Sequence, residues 1–250
     1  EAKRQAAGNK IRTALLAAVS HDLRTPLTSI KASVSSLRSV DIELDAADRA
    51  ELLENIEVST DRLNVLVGNL LDMSRLQTDT VSPKIRAMGL EEVVPAALIG
   101  IPPQTVSVDV PDDLPRVRID PGLLERAVAN VVQNAVRHNP VGKPHVRVAA
   151  SALGETVELR VADHGPGVPD EFKERIFEAF QRIGDAPRGT GIGLGLAVAR
   201  GFTEAMEATL VAEDTPGGGL TMVFTLRSAP ASDTGRPALP GAESTETEDG

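Results

Sequence analysis

The chain has 250 residues, 41% of them hydrophobic, and a net charge of −10 from 26 basic and 36 acidic side chains. That balance argues against nucleic acid as the main partner, because phosphate backbones call for a basic face, and the absence of Tyr and Trp removes most base-stacking platforms. Cys is absent too, which excludes disulfides and thiolate metal sites and suits a reducing cytosol.

No apolar run approaches the roughly 20 residues that span a bilayer, and no signal peptide is visible. The sequence starts at Glu1, without Met and in helix-forming residues, and reads as part of a longer protein. Its sensing or membrane part is expected upstream.

From about residue 10 to 39, apolar residues recur at Leu16, Val19, Leu23, Leu27, Ile30, Val34 and Leu37. Steps of three and four make this a helix with a single seam. The pattern breaks at Asp41 to Asp45, where Asp45 suits an N-cap and Asp48 a first helical turn. Leu52, Ile56, Leu63, Leu66, Leu70 and Met73 then mark a second seam. Two such helices with a short connection predict an antiparallel hairpin. One hairpin cannot cover its own seam, so two copies are expected to pair into a dimeric four-helix bundle.

Residues 77–88 lose the period and contain Pro83, so they read as a linker. A helix is expected over residues 90–99, with Pro95 near its start, then strands over 105–110 and 116–119. Residues 121–138 form a strong helix, capped by Asp120 with Pro121 at the first position. Strands at 145–150 and 156–162 make a hairpin around Leu153-Gly154. A short helix at 171–180 and a longer one at 194–207 follow. Strands at 209–212 and 221–226, joined across Pro216-Gly217-Gly218-Gly219, close the sheet. This second unit is α+β, a mixed sheet with helices on one side. Residues 228–250 carry almost no large apolar side chain and are expected to form a disordered acidic tail. The expected organisation is therefore a hairpin at 1–76, a linker at 77–88, an α+β domain at 89–227 and a tail at 228–250.

His21 stands near the middle of the first helix with Asp22 beside it. A lone histidine beside a seam is most often merely solvated. Here Val19 and Leu23 place it on the flank, and Asp22 can accept either the Nδ1 proton or that of the reacting nitrogen, keeping the imidazole neutral and nucleophilic. Thr25 shares the face of His21 one turn on and can orient a water. Pro26 costs roughly 3 kcal/mol in a plain helix interior, so a functional bend competes there with a simple kink.

Asn130 and Asn134 lie one turn apart on the 121–138 helix, followed by Arg137 and His138. Their amides suit Mg²⁺, bound directly or through water, as well as they suit capping or helix–helix hydrogen bonds. Asp163-x-Gly165-x-Gly167 follows a strand, where Asp163 can accept from an exocyclic amine and the glycines let backbone approach a ring. Gly189-Thr190-Gly191-Ile192-Gly193-Leu194-Gly195 leads into a helix and offers N–H groups to phosphates. It is neither a Rossmann fingerprint nor a Walker loop. Phe172, Ile176, Phe177 and Phe180 read as core, and the polar segment 181–188 as a lid bearing Arg182 and Arg188, or as a plain surface loop.

Together these motifs resemble a bacterial sensor histidine kinase. Ser20-His21-Asp22-Leu23-Arg24-Thr25-Pro26-Leu27 is similar to that family's H box, and Asn130-x-x-x-Asn134-Ala135 to its N box. Asp163-x-Gly165-x-Gly167 is similar to the G1 box, Phe177-Glu178-Ala179-Phe180 to the F box, and the 189–196 glycine run to the G2 box. Leu15 to Asp22 and Asn69 to Leu76 look most like the potassium-responsive Kdp type.

The resemblance implies an α+β sandwich of the histidine kinase/chaperone ATPase type behind the hairpin. It also implies ATP-dependent autophosphorylation on His21 with Asp22 as acid–base partner, Thr25 serving a phosphatase reaction, and transfer to an aspartate of a response regulator. Asn134, helped by Asn130, would hold Mg²⁺, and Asp163 the adenine amine. Gly165 and Gly167 would shape the base pocket. Arg188, Gly189, Thr190, Gly191, Gly193, Leu194 and Gly195 would surround the phosphates. Arg137 and His138 stand where the family carries Lys and an aromatic residue, and His138 would stack on adenine less well.

A homodimer is implied, in the cytoplasmic portion of a protein anchored in the inner membrane. Two other readings compete: another ATPase of the same superfamily, opposed by His-Asp-x-x-Thr-Pro, and a phosphatase-biased or non-catalytic binding module.

Overall fold

The computed structural model describes residues 2–39, 44–78, 80–181 and 193–230, with side chains from Val19 onward. Two long helices, α1 (Ala2–Arg38) and α2 (Ala46–Gln77), form the hairpin. Asp45 caps α2 as its sequence position suggests: the Asp48 N–H donates to its Oδ1 at 2.8 Å. Pro26 is buried inside α1, and the helix carries on to Arg38 although proline removes the N–H that the Asp22 carbonyl would have used. Val19 and Leu23 of one seam and Met73 of the other pack on the cluster formed by Leu66 of α2 and Leu194. Leu27, Val34 and Leu70 stay exposed, joined by Leu53, Val58, Val67 and Leu71. One hairpin thus leaves much of its apolar surface open.

Beyond α2, β1 (Arg86–Met88) pairs antiparallel with β3 (Val117–Ile119), Met88 opposite Val117. The end of the expected linker is therefore a paired strand. Between these strands come α3 (Leu90–Ala97) and β2 (Val106–Asp109). After β3 follow α4 (Pro121–His138), β4 (Val146–Leu153), β5 (Thr156–Ala162), α5 (Gly195–Ala205), β6 (Thr209–Asp214) and β7 (Leu220–Arg227). The five-stranded sheet runs β2-β4-β5-β7-β6, with β2 and β4 parallel and the remaining pairs antiparallel. This is the expected mixed α+β layer.

Its core follows from two periods. On α4, Leu124, Ala127, Val128, Val131, Val132 and Ala135 recur at three and four residues and are all buried. On β5, Val157, Leu159 and Val161 alternate inward. Both faces join one cluster with Val198 and Phe202 of α5 and Phe224 of β7. Asp120 caps α4 by accepting from the N–H groups of Gly122 and Leu123 through Oδ1, while Oδ2 takes the Lys84 N–H at 2.7 Å. The cap therefore also ties down the segment arriving from the hairpin.

Several boundaries differ from the sequence expectation. Pro95 lies near the end of α3 rather than its start, and the helix stops two residues later, with the Leu98 N–H donating to the Pro95 carbonyl. Residues 171–180 form two 3₁₀ turns, Asp170–Phe172 and Arg175–Phe177, closed by i→i+3 bonds, in place of an α-helix. Phe177 is buried and anchors them, while Phe180 takes a left-handed backbone with φ 68°. Strands β4, β6 and β7 extend past the predicted ends. Ser228 and Ala229 still bond to Glu155 and Arg116, whereas 231–250 of the expected tail and 182–188 of the expected lid lie outside the described residues.

The hairpin packs against this layer through α2. Leu66 clusters with Leu194, Ala179 and Phe180, and Leu76 presses on Gly201, where a Cβ would lie 2.6 Å from Leu76 Cδ1. Asp72 pairs with Arg126 of α4.

Candidate active site

His21 projects from α1 with a side chain 60% exposed, while the neighbouring Asp22 is only 5% exposed. Nδ1 lies 3.1 Å from Asp22 Oδ1. With the Nδ1 proton given to that carboxylate, Nε2 keeps its lone pair and faces outward. Of the two modes open to Asp22 from sequence, the geometry selects contact at Nδ1. The Thr25 hydroxyl donates to the His21 carbonyl at 3.2 Å, so it is tied to its own helix and keeps its oxygen as an acceptor.

A pocket opens between α4, the loop after β5 and the start of α5, and it contains Asn130, Asn134, Arg137, His138 and Asp163. Helical spacing puts the two asparagines on one wall, one turn apart. Asp163 is 4% exposed, and its Oδ1 accepts from the N–H groups of Gly165 at 2.8 Å and Leu220 at 3.1 Å. Its Oδ2 has no protein donor among the described residues and is free for a ligand amine. Gly165 sits where a Cβ would lie 2.6 Å from the His138 carbonyl, and Gly167 has φ +71°. Gly165 lets the loop after β5 close on the end of α4, and Gly167, where a Cβ would lie 3.2 Å from the Gly219 carbonyl oxygen, lets it approach the β6–β7 turn.

At the pocket's other end, Gly193 has φ +75° and accepts the Phe180 N–H at 2.9 Å. Leu194 is buried at the N-cap of α5 without a side-chain cap bond, which leaves the first N–H groups of that helix for an anion. Gly195 packs beside Asn130, where a Cβ would lie 3.5 Å from the Asn130 Oδ1. Arg188, Gly189, Thr190 and Gly191, with Arg182, lie outside the described residues.

Electrostatics set the state of the α4 terminus. Desolvation, with the positive charge of Arg137 second, pushes the His138 pKa down from its ordinary 6.5, against a weaker pull upward from Asp163. His138 is thus neutral at pH 7. Arg137 is likewise lowered, by desolvation and then by Arg62 of α2. No group of three or more His, Cys, Asp or Glu side chains among the described residues is arranged around a metal. The amide oxygens of Asn130 and Asn134 are hard donors that fit an ion holding several waters and phosphate oxygens, as Mg²⁺ does.

Two contributions escape a reading of motifs. Val65, Leu66 and Asn69 of α2 form part of the pocket wall, although their sequence signal is only that of a helix seam. Gly219, read as part of a strand connection, has φ +121°, and a Cβ there would lie 2.0 Å from the Asp163 carbonyl oxygen. A run of three glycines was the available sign that backbone must approach closely at that point.

Residues 11–79 match the model of the His Kinase A (phospho-acceptor) domain, and residues 119–230 match that of the histidine kinase-, DNA gyrase B- and HSP90-like ATPases. The chain belongs to the sensor histidine kinases of two-component systems. The phospho-acceptor match separates it from the other ATPases of the superfamily, which the ATPase match alone would not do. Among its relatives, the sensor protein KdpD of Mycobacterium tuberculosis is 48% identical over 236 residues, covering 90% of this chain. KdpD of Escherichia coli K12 is 34% identical over 220 residues, covering 87%. The Kdp-type resemblance is thereby supported.

The chain spans only 27% and 24% of the length of these two relatives. In structure it resembles full-length ShkA in complex with AMPPNP, with 28% identity and a TM-score of 0.60 over 86% of this chain and 46% of that one. The Acinetobacter baumannii kinase AdeS shares the fold at 20% identity, with a TM-score of 0.59 over 84% of this chain and 98% of that one. The family match over residues 119–230 identifies the second domain as an ATP-binding domain.

Proposed function

We propose that this kinase moves the γ-phosphoryl group of ATP onto Nε2 of its own His21 and passes it to an aspartate of a response regulator. The observation that carries the reading is the tethering of His21 Nδ1 by Asp22, which leaves Nε2 of an exposed ring available on the same chain as an ATP pocket. In the step, the bond from the γ-phosphorus to the β–γ bridging oxygen breaks, an N–P bond forms at Nε2, and ADP leaves. Asp22 holds the Nδ1 proton and stabilises the imidazolium charge that develops. The rest is positioning.

Asp163 Oδ2 accepts the adenine amine, and Gly165 and Gly167 bring the loop onto the ring. Asn134 and Asn130 hold Mg²⁺, which supplies neutralisation of phosphate charge when bound. Arg137, Gly193, Leu194 and Gly195 line the phosphate end, and the motif resemblance assigns phosphate contacts to Arg188, Gly189, Thr190 and Gly191 as well. Thr25 keeps an acceptor oxygen near His21 for a water in dephosphorylation of the regulator.

The exposed leucines and valines of α1 and α2 suit pairing of two hairpins into a four-helix bundle. We set the start of the catalytic domain before β1, since that strand pairs with β3. No described helix is long and apolar enough to cross a membrane.

Incubation with γ-labelled ATP and Mg²⁺ tests the reading. The expected label is acid-labile and alkali-stable, and it disappears in His21→Gln while ATP binding persists. Label that survives in His21→Gln refutes the assignment of the acceptor. Absence of label with intact ATP binding favours the phosphatase-biased alternative.

A further inference from the structure

The hairpin brings a second arginine to the edge of the ATP pocket. Val65, Leu66 and Asn69 of α2 stand in the pocket wall. Arg62 precedes Val65 by three residues and Leu66 by four, which puts it on the same helix face one turn along. Its side chain is half-buried, and its buried Nη2 has no hydrogen-bond partner among the described residues. It also stands near enough to Arg137 for the two charges to repel. A guanidinium cannot shed its proton to escape this, so it calls for an anion. Its planar fork matches phosphate oxygens in pairs.

We propose that Arg62 is a ligand of the nucleotide's phosphates, closing a two-arginine clamp with Arg137 on the polyphosphate. The inference rests on the nucleotide reading of this pocket. It adds that the ligand is held from both sides, by α4 of the catalytic domain and by α2 of the phosphoacceptor hairpin. An anion between the two guanidinium groups turns their repulsion into two attractions and gives the buried Nη2 an acceptor. ATP bound in the pocket would thereby fasten α2 to the catalytic domain, a contact that adenosine cannot make.

Calorimetric titration of the 250-residue chain with ATP and, separately, with adenosine tests this, using wild type, Arg62→Ala and Arg62→Lys, with thermal melts to establish folding. Arg62→Ala is expected to weaken ATP about tenfold, the loss of one charged hydrogen bond, and to leave adenosine unchanged. Arg62→Lys keeps the charge without the fork and should recover part of the loss. ATP affinity that is unchanged or tighter in Arg62→Ala overturns the proposal, the tighter case meaning that α2 merely obstructs the pocket. Equal weakening of ATP and adenosine also overturns it. If wild type binds neither ligand, the nucleotide reading itself falls, an outcome distinct from a wild type that binds ATP and an Arg62→Ala that binds it equally well.

Discussion

Asp72 of α2 and Arg126 of α4 form an ion pair that joins the hairpin to the catalytic domain, with both carboxylate oxygens facing one guanidinium nitrogen. Asp72 is 3% exposed, whereas the Arg126 side chain is 51% exposed. The two partners are therefore unequal. Removing Arg126 strands a buried carboxylate whose nearest other cation is Arg75 at 3.9 Å, while removing Asp72 releases an arginine that water already reaches.

Arg126→Ala is expected to loosen the packing of α2 on the catalytic domain by about 2 kcal/mol, and Asp72→Asn by less. Hydrogen exchange along 66–77 reads the effect directly, and both variants should speed exchange there in that order. Exchange that is faster in Asp72→Asn than in Arg126→Ala would contradict the inequality.

Asp22→Asn is expected to leave the helix intact and to lower the autophosphorylation rate about 100-fold, the usual share of a positioned acid–base group. An amide at this position still offers an oxygen to Nδ1–H but carries no charge to balance the imidazolium. The phosphorylation time course at saturating ATP checks this, with ATP affinity unchanged.

Gly219 packs against the backbone of Asp163, the residue proposed to accept the adenine amine. Gly219→Ala places a Cβ against the Asp163 carbonyl at a backbone angle that L residues avoid, a strain of order 1–3 kcal/mol. It should lower the melting temperature and ATP affinity together. Asp163→Asn should instead keep the melt, since an amide oxygen can still take the Gly165 and Leu220 N–H groups, and lose ATP about 100-fold because an N–H₂ then meets the adenine amine. Parallel melts and titrations separate the two effects.

Much of this is legible in the sequence alone. The three-and-four spacing of α1, α2 and α4, the caps at Asp45 and Asp120, and the alternation of β5 are local signals, and the structure follows them. Asn130, Asn134, Asp163 and Gly167 converge because the sheet sets the loop after β5 beside α4. What is not legible is long-range. Nothing in the spacing of α2 says that Val65, Leu66 and Asn69 wall a pocket, that Asp72 finds Arg126, or that Gly219 must lie against Asp163. Residues 171–180 mislead for a different reason: their apolar positions have helical spacing, but a buried Phe177 and the turn at Phe180 favour 3₁₀ geometry over a continuous helix.

His138 supplies the pH-dependent prediction. Its pKa in the folded chain lies below the ordinary 6.5 because desolvation and Arg137 disfavour the charged ring. The unfolded chain therefore binds a proton first as pH falls. The stability associated with neutral His138 is fully present above about pH 6.5 and is progressively lost as pH falls toward the folded pKa. Between pH 7.5 and 5.5 the melting temperature should decline more steeply in wild type than in His138→Tyr, which has nothing to titrate there. A tyrosine ring also stacks better on a base, so the same variant should bind ATP several-fold more tightly at pH 7.5, in keeping with about 1 kcal/mol for an aromatic pair. Identical pH slopes in the two proteins would remove His138 as the titrating group, and unchanged ATP affinity would remove it from the face of the adenine.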